Sequence, residues 1–251
     1  MTTMLICVRQ TIRSDVKRGM NMLKWVIAGL SVMMFLQGCS DTSERMTREK
    51  ETENLTNNLF KAVEQKESDQ VKKLIREGIN LNAQDSQGRT ALMIATYNKD
   101  YDTAKVLIDA GADVNIQDNM KNNPYLYASA EGYSDILLLT VQAGADTKVT
   151  NRYGGTGLIP ASEHGYVDVV KMLLTKTDVD VNHVNNLGWT ALLEAIILNN
   201  GNEMQQKTVQ LLIEHGADVN LADGEGVTPL EHARQKGFKE IEKILLEAGA
   251  N

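Results

Sequence analysis

Histidines and carboxylates are the residues of this 251-residue chain that could act in acid–base or metal chemistry. His164, His183, His215 and His232 fall at different positions of a sequence unit that recurs along the chain, so stacking the units does not align them. Metal ligands must converge on one ion, and this spacing predicts no such convergence. Most carboxylates recur at turn positions, where aspartate accepts hydrogen bonds from local backbone amides.

Nucleophile and phosphate motifs give no stronger signal. The chain has no Gly-x-Ser-x-Gly sequence, and no glycine-rich loop is followed by the lysine that contacts phosphate. Gly154-Gly155-Thr156-Gly157 has the glycines without that lysine. We therefore predict no enzymatic activity, no metal, no cofactor and no small-molecule substrate.

Cys39 is the residue whose surroundings indicate a defined reaction. It ends an apolar run that starts at Trp25 and follows Lys24, and small Gly38 directly precedes it. A charged lead-in, an apolar stretch and a small residue form the layout of a secretory signal peptide. A helix needs about 20 apolar residues to cross a bilayer, so this run is short for a transmembrane anchor, which is the alternative interpretation.

The tetrapeptide Leu36-Gln37-Gly38-Cys39 resembles the lipobox of bacterial lipoproteins. The resemblance implies a signal peptide over residues 1–38, with Met20 or Met22 as alternative starts, and a lipid on the Cys39 thiol. Gln37 departs from the pattern, in which a smaller residue is usual. In lipoprotein sorting an aspartate after the cysteine retains the protein at the inner membrane. Ser40 stands there instead, which favours the outer membrane of a Gram-negative envelope.

Removal of the signal peptide would make the chain more acidic. Residues 1–39 carry five basic residues against Asp15, a net +4, so the formal charge would fall from -7 to -11. An acidic surface argues against nucleic acid as a partner and gives no polybasic attraction to anionic lipid. Cys7 lies upstream of the cleavage point, so the processed chain would contain no disulfide.

Residues 39–54 are polar and charged with no apolar periodicity. Such a segment cannot bury enough apolar surface to offset the entropy of ordering it. We interpret it as a flexible, in part helical, tether between the lipidated Cys39 and the remainder of the chain.

Residues 52–251 repeat a sequence of about 33 residues. The motif Gly-Ala-Asp-Val-Asn occupies 111–115 and 216–220, and Thr-Pro-Leu occupies 228–230. These marks resemble the ankyrin repeat, a turn followed by two antiparallel helices. The resemblance implies an all-α solenoid of about six helix-turn-helix units with short β-turn fingers. The repeats start near residues 52, 85, 118, 151, 185 and 223.

Fixed positions in the repeat carry residue types that suit this structure. Most turns begin with an Asp or Asn and have a Gly three residues later, which tolerates positive φ. Helix N-cap candidates are Thr90, Thr156, Thr190 and Thr228. Small residues that let first helices approach are Ala62, Ala95, Ala128, Ala161, Ala195 and Ala233. Glycines expected to end second helices are Gly78, Gly111, Gly144, Gly216 and Gly249.

Three departures from the family pattern lead to further expectations. Pro160 lies inside the first helix of the fourth repeat, where it should remove a donor and kink or shorten that helix; neutral drift in a redundant array is the alternative to a functional reason. Extra residues at 199–202 predict a longer turn in the fifth repeat. The usual histidine after Thr-Pro-Leu is absent, which puts the family's hydrogen-bond lattice in doubt; its positions hold Met93, Leu126, Ile159, Leu193 and Glu231.

Ankyrin arrays bind proteins through their fingers and the exposed side of their first helices, so the resemblance implies a binding surface here. Large apolar and aromatic residues on the middle fingers are types that dominate interfaces. The alternative is that Trp189 folds back onto a neighbouring finger. The candidate residues are Arg89, Met120, Asn122, Arg152, Tyr153, Leu187 and Trp189 on the fingers, and Tyr97, His164 and Leu198 on the first helices.

These features lead to one main functional hypothesis and two alternatives. The main one is a monomeric, envelope-anchored adaptor that binds a protein partner and faces the periplasm in a Gram-negative cell. The first alternative is an immunity protein that neutralises a periplasmic toxin. The second is an accessory factor in periplasmic oxidative-stress defence.

Overall fold

The computed structural model describes residues 45, 46 and 48–251. Cys39 and residues 1–38 lie outside the described residues, so lipidation of Cys39 and the signal peptide remain predictions. The chain divides into two compact parts, residues 1–54 and residues 55–251. In the first part, the described residues are helical and exposed to solvent.

The second part is a series of paired helices. None of its described residues is in a strand, so the predicted all-α solenoid of helix-turn-helix repeats is confirmed. Each repeat supplies one odd-numbered first helix and one even-numbered second helix. The helices are α1 (55–64), α2 (Ser68–Arg76), α3 (Ala91–Tyr97), α4 (Tyr101–Asp109), α5 (Pro124–Ala130), α6 (Ser134–Gln142), α7 (Leu158–Glu163), α8 (Val167–Lys176), α9 (Ala191–Ile197), α10 (Glu203–Glu214), α11 (Pro229–Lys236) and α12 (Lys239–Glu247).

Side-chain caps fix where most first helices begin. The hydroxyl groups of Thr90, Thr190 and Thr228 each accept a hydrogen bond from the backbone amide three residues later. Asn123 does the same at the start of α5. The prediction for Thr156 was wrong: its buried hydroxyl has no hydrogen-bond partner, and Gly157 precedes α7 without a side-chain cap.

Pro160 affects α7 less than the sequence suggests. The helix has six residues, one fewer than α3, α5 and α9, which agrees with the predicted shortening. The predicted loss of a helical hydrogen bond is wrong, because Pro160 occupies the third helical position. Amides in the first turn have no acceptor within the helix, so proline removes no helical bond there.

The core lies between helices of successive repeats. The predicted alanine column is buried throughout, with exposures of 3% for Ala62 and 0% for the five others. Two apolar clusters result, one from Leu59 to Val114 and one from Tyr125 to Ala250. Among the described helices, none has both the length and the apolarity required to span a membrane.

The fingers share one hydrogen-bond pattern. In each, the Oδ1 atom of the first residue accepts bonds from the backbone amides two and four residues later. The fourth residue has positive φ, and Lys121 (φ 58) occupies this position in the third repeat where the other fingers have glycine. The first residues of the five fingers are Asp85, Asp118, Asn151, Asn185 and Asp223.

Hydrogen bonds connect successive fingers. The backbone amide of Asn119 donates to Gln87 O at 3.0 Å, and that of Asn186 donates to Tyr153 O at 3.0 Å. The side-chain amide of Gln117 bridges two repeats by donating to Lys121 O at 2.7 Å and Thr150 O at 2.9 Å. Backbone and amide groups therefore hold successive fingers in register.

The longer turn predicted in the fifth repeat is present. Five residues, 198–202, connect α9 to α10, whereas three connect α3 to α4. Asn202 caps α10 by accepting bonds from the amides of Met204 and Gln205. The insertion therefore lengthens a turn and leaves the stacking of α9 and α10 intact.

Tyr125 occupies a position where the other repeats have leucine, and Gly157 provides the space that its ring needs. Tyr125 is fully buried. A Cβ atom added at Gly157 would lie 2.7 Å from Ser129 Oγ and 3.2 Å from Tyr125 Cζ. Gly157 has φ -59, which any residue adopts, so the glycine is required by close packing.

We expect Gly157→Ala to destabilise the fold by about 1–3 kcal/mol, because overpacking a filled core costs that much. Alanine for glycine at a compatible φ would otherwise stabilise by about 0.4–1 kcal/mol. The measurement is urea unfolding followed by circular dichroism. Gly155→Ala is the matched control, since its added Cβ would meet nothing closer than 3.6 Å. Equal midpoints for Gly157→Ala and the parent chain would contradict this account, and Ser129→Ala should reduce the cost.

Candidate interaction groove

The fingers and first helices of the third, fourth and fifth repeats enclose a groove of about 680 Å³. A second depression of about 460 Å³ lies at the fingers of the second and third repeats. Tyr97 and Met120 line both depressions, so the two adjoin. We refer to them together as the finger groove, which extends from Ser86 to Leu198.

The finger groove contains most of the sequence-predicted binding residues. Nine of the ten candidates line it, and the tenth, Trp189, is half-buried and lines neither depression. Four of the nine are large apolar side chains with exposures between 48% and 60%, which concentrates apolar surface in one place. The nine are Arg89, Tyr97, Met120, Asn122, Arg152, Tyr153, His164, Leu187 and Leu198, of which Met120, Tyr153, Leu187 and Leu198 are the exposed apolar ones.

Tyr97 is a fixed part of the groove wall. Its hydroxyl donates to Asp118 Oδ2 and accepts from Asn122 Nδ2 at 3.2 Å. Its ring packs edge-on against Tyr127, with 4.4 Å between ring centroids. Burial, and then the hydrogen bond to Asp118, raise the pKa of Tyr97 to about 12. The phenol therefore stays neutral and serves as a rigid aromatic surface.

A second wall lies on the fingers of the third and fourth repeats and consists of Met120, Arg152 and Tyr153. The Arg152 guanidinium lies over the Tyr153 ring at 4.7 Å from its centroid, within the range of a cation–π contact. Its Nη1 atom is 3.7 Å from Met120 Sδ. The three side chains thus hold one another while remaining exposed.

Arg89 is less free to bind than the sequence suggests, whereas His164 remains exposed. Arg89 donates to Asp85 Oδ2 at 2.7 Å and also lies 3.6 Å from Glu64 Oε1, so its charge is already paired. His164 is exposed at the end of α7, and its ring centroid is 5.4 Å from that of Tyr166. Among the described residues, no group of three His, Cys, Asp or Glu side chains is placed to hold a metal ion.

Sequence reasoning missed Glu194, a carboxylic acid on the buried face of α9. It lines the groove with 6% exposure and accepts a hydrogen bond from Asn185 Nδ2 at 2.7 Å. Burial, and then the neighbouring Glu163 carboxyl group, raise the pKa of Glu194 to about 7. The available signal was an acid in the otherwise apolar segment Ala191–Ile197.

The chain matches the protein family described as ankyrin repeats (three copies) over residues 28–118, 59–151, 125–223 and 158–251. The crystal structure of an ankyrin repeat domain from Acinetobacter baumannii AYE is 53% identical, with a TM-score of 0.75 over 77% of this chain and 98% of that one. EF0377, an ankyrin repeat protein of known crystal structure, is 41% identical, with a TM-score of 0.75 over 78% of this chain and 98% of that one.

A curated relative is also similar over part of the chain. The ankyrin repeat protein YahD of Escherichia coli (strain K12) is 57% identical over 81 residues, which are 32% of this chain and 40% of that protein. The matched segment thus spans less than half of that relative's length. The family that matches is not a catalytic one.

We expect the buried carboxyl group of Glu194 to make the fold less stable as pH rises from about 5 to 8. The folded chain holds the Glu194 proton up to a pKa of about 7, whereas an unfolded glutamate loses it near 4.5. Between these values the folded state binds more protons, so stability is highest below the unfolded pKa and falls as pH rises through the folded one.

Glu194→Gln should remove this pH dependence, because the amide oxygen still accepts from Asn185 and carries no charge. We expect a gain of about 2 kcal/mol at pH 8 and little change near pH 4.5. Urea unfolding of both chains across this range is the measurement. The control is Glu214→Gln, an exposed carboxylate on α10. Parallel pH profiles for the parent chain and Glu194→Gln would refute the assignment.

Proposed function

Because the chain belongs to the ankyrin-repeat family, we propose that it is an interaction protein whose finger groove binds a segment of another protein. Stacked repeats form extended surfaces of this kind, and ankyrin repeats generally mediate contacts between proteins. The groove carries the proposal because it gathers exposed Met120, Tyr153, Leu187 and Leu198 in one surface. The proposal assigns the groove no catalytic step.

The groove is suited to binding because its walls are ordered before a partner arrives. Tyr97 is fixed by Asp118, Asn122 and Tyr127, and Arg152 is held against Tyr153. Side chains that are already immobilised lose less conformational entropy on association. Apolar surface surrounded by such groups favours a specific partner over nonspecific adhesion.

The proposal places this groove at a bacterial cell envelope. A lipid on Cys39 would anchor the chain, and the charged segment 39–54 would separate the repeats from the bilayer. The lipobox-like tetrapeptide supports the anchor, and Ser40 supports the periplasmic face of an outer membrane. One acyl chain gives only marginal membrane binding, so the anchor requires the multiple acylation that bacterial lipoproteins carry.

Within this proposal the role is that of an adaptor that presents a binding surface at the membrane. The immunity and oxidative-stress roles use the same surface and differ only in the partner. A secreted toxin as partner would select the first, and a periplasmic antioxidant enzyme would select the second.

Tyr153→Ala combined with Leu187→Ala should weaken partner capture about tenfold or more, because truncated interface hot spots cost about 2 kcal/mol or more. The measurement is affinity capture from membranes with quantitative mass spectrometry. Leu246→Ala is the matched control, because Leu246 is 47% exposed on α12 and lies outside the groove. Full retention of every captured protein by the double variant would overturn the assignment of the groove.

Cys39→Ala should abolish incorporation of a clickable fatty acid into the chain, because it removes the acylated thiol. The measurement is in-gel fluorescence of the labelled chain. Cys7→Ala is the matched control, since Cys7 is the chain's other cysteine and precedes the predicted cleavage point. Equal labelling of the parent chain and Cys39→Ala would eliminate the anchor.

A further inference from the structure

Asn200 is the one asparagine of the chain that is followed directly by glycine. The pair lies in the longer turn of the fifth repeat, between α9 and α10, and Asn200 is exposed to solvent. The amide carbon of an asparagine side chain can be attacked by the backbone nitrogen of the next residue. Both groups belong to the same chain, so the reaction is intramolecular and needs no encounter. A side chain on the next residue obstructs the attack, and glycine has none.

The fold requires glycine at position 201. Gly201 has φ 69, a conformation that residues with side chains rarely adopt. A Cβ atom added there would lie 2.7 Å from Phe238 Cγ, so the sixth repeat leaves no room for a larger residue. Packing between the fifth and sixth repeats therefore keeps an unhindered backbone nitrogen next to Asn200.

The two reacting groups are accessible to each other in the folded chain. Asn200 Oδ1 accepts a hydrogen bond from the backbone amide of Asn202 at 3.2 Å. This bond folds the side chain toward the backbone that follows it and withdraws electron density from the amide carbon. The Gly201 amide donates no hydrogen bond to any residue that the structure describes. Attack by its nitrogen therefore breaks no hydrogen bond of the turn.

Asp223 and Gly224 form a comparable pair on the finger of the sixth repeat, but the Asp223 side chain is held in place. Its Oδ1 atom accepts from the backbone amides two and four residues later, at 3.0 and 2.9 Å. Its Oδ2 atom lies 2.8 Å from His232 Nε2. Aspartate is also a carboxylate at neutral pH, and its negative charge disfavours attack. Neutral, exposed Asn200 has neither protection.

We propose that Asn200 is a site of spontaneous deamidation. The Gly201 nitrogen loses its proton to hydroxide and attacks Asn200 Cγ, which closes a five-membered succinimide ring. The bond from Cγ to Nδ2 breaks, and that nitrogen takes up a proton from water and leaves as ammonia. Water then opens the ring at either carbonyl and gives aspartate or isoaspartate. The rate increases with pH, because the attacking nitrogen must first lose its proton.

The two products alter the turn differently. Aspartate adds a negative charge two residues before the N-cap of α10, and helix N-termini favour negative charge. Isoaspartate also inserts one carbon into the main chain between Asn200 and Gly201. At that point Gly201 O accepts from Gln206 Nε2 at 2.9 Å, and the Phe238 ring covers the glycine. The insertion should therefore weaken packing of the sixth repeat on the fifth.

The test is incubation of the intact chain at pH 7 and pH 9, followed by peptide mapping with mass spectrometry. Deamidation replaces NH by oxygen in the peptide that contains residue 200, and a protein isoaspartate methyltransferase labels the isoaspartate product. Both signals should appear at residue 200 and should increase faster at pH 9. Asn200→Gln should slow the conversion about tenfold or more, because glutamine must close a larger ring through an additional rotatable bond. The matched control is Asn54→Gln, an exposed asparagine followed by leucine, which should leave the rate unchanged.

A synthetic peptide of residues 198–204 shows whether the fold permits the reaction. If the peptide converts while residue 200 of the intact chain stays unmodified, the fold protects Asn200 and the proposal is wrong. Conversion only at other asparagines would also overturn it. The isoaspartate form, separated from the aged chain, should unfold at a lower temperature than Asn200→Asp, which has the same charge. Equal unfolding temperatures would refute the weakened packing and leave the modification site in place.

Discussion

The fold depends on one constraint: no repeat can bury its own apolar stripe, so each must pack against the next. The alanine column from Ala62 to Ala233 makes this possible because a methyl group at each contact lets first helices approach closely. Once the helices are in register, the turns that precede them are in register too. The finger groove is therefore a product of core packing, since its walls are turns that the core has already positioned.

The same constraint explains which features could be predicted from sequence. Capping by Thr90, Thr190 and Thr228 depends on a side chain and an amide three residues away, so the local sequence is enough to predict it. The finger turns are equally local, because one Asx side chain bonds amides within four residues. Nine of the ten predicted binding residues line the groove because they occupy the same finger and first-helix positions in each repeat.

What could not be predicted depends on contacts between repeats. Thr156 has the cap residue type, but α7 starts one position later, so its hydroxyl makes no cap bond. From the sequence, Gly157 resembles a flexible turn residue. In the structure, the ring of Tyr125 and the side chain of Ser129 fill the space beside it, so close packing requires the glycine. Trp189 is a finger residue by register, yet its half-buried side chain lines neither depression. Each of these outcomes depends on atoms contributed by a different helix or finger.

The longer turn of the fifth repeat connects packing to the groove. Asn199, at the start of the extra residues, donates to Glu163 O at 2.7 Å, and Gln205 in α10 donates to the same oxygen at 2.9 Å. The Glu163 carbonyl lies at the end of α7, where the helix supplies no amide donor to it. These two bonds satisfy that carbonyl. They also fix the backbone that carries the Glu163 side chain. A departure from regular spacing thus fixes the end of α7, and these bonds persist only while the fourth and fifth repeats remain stacked.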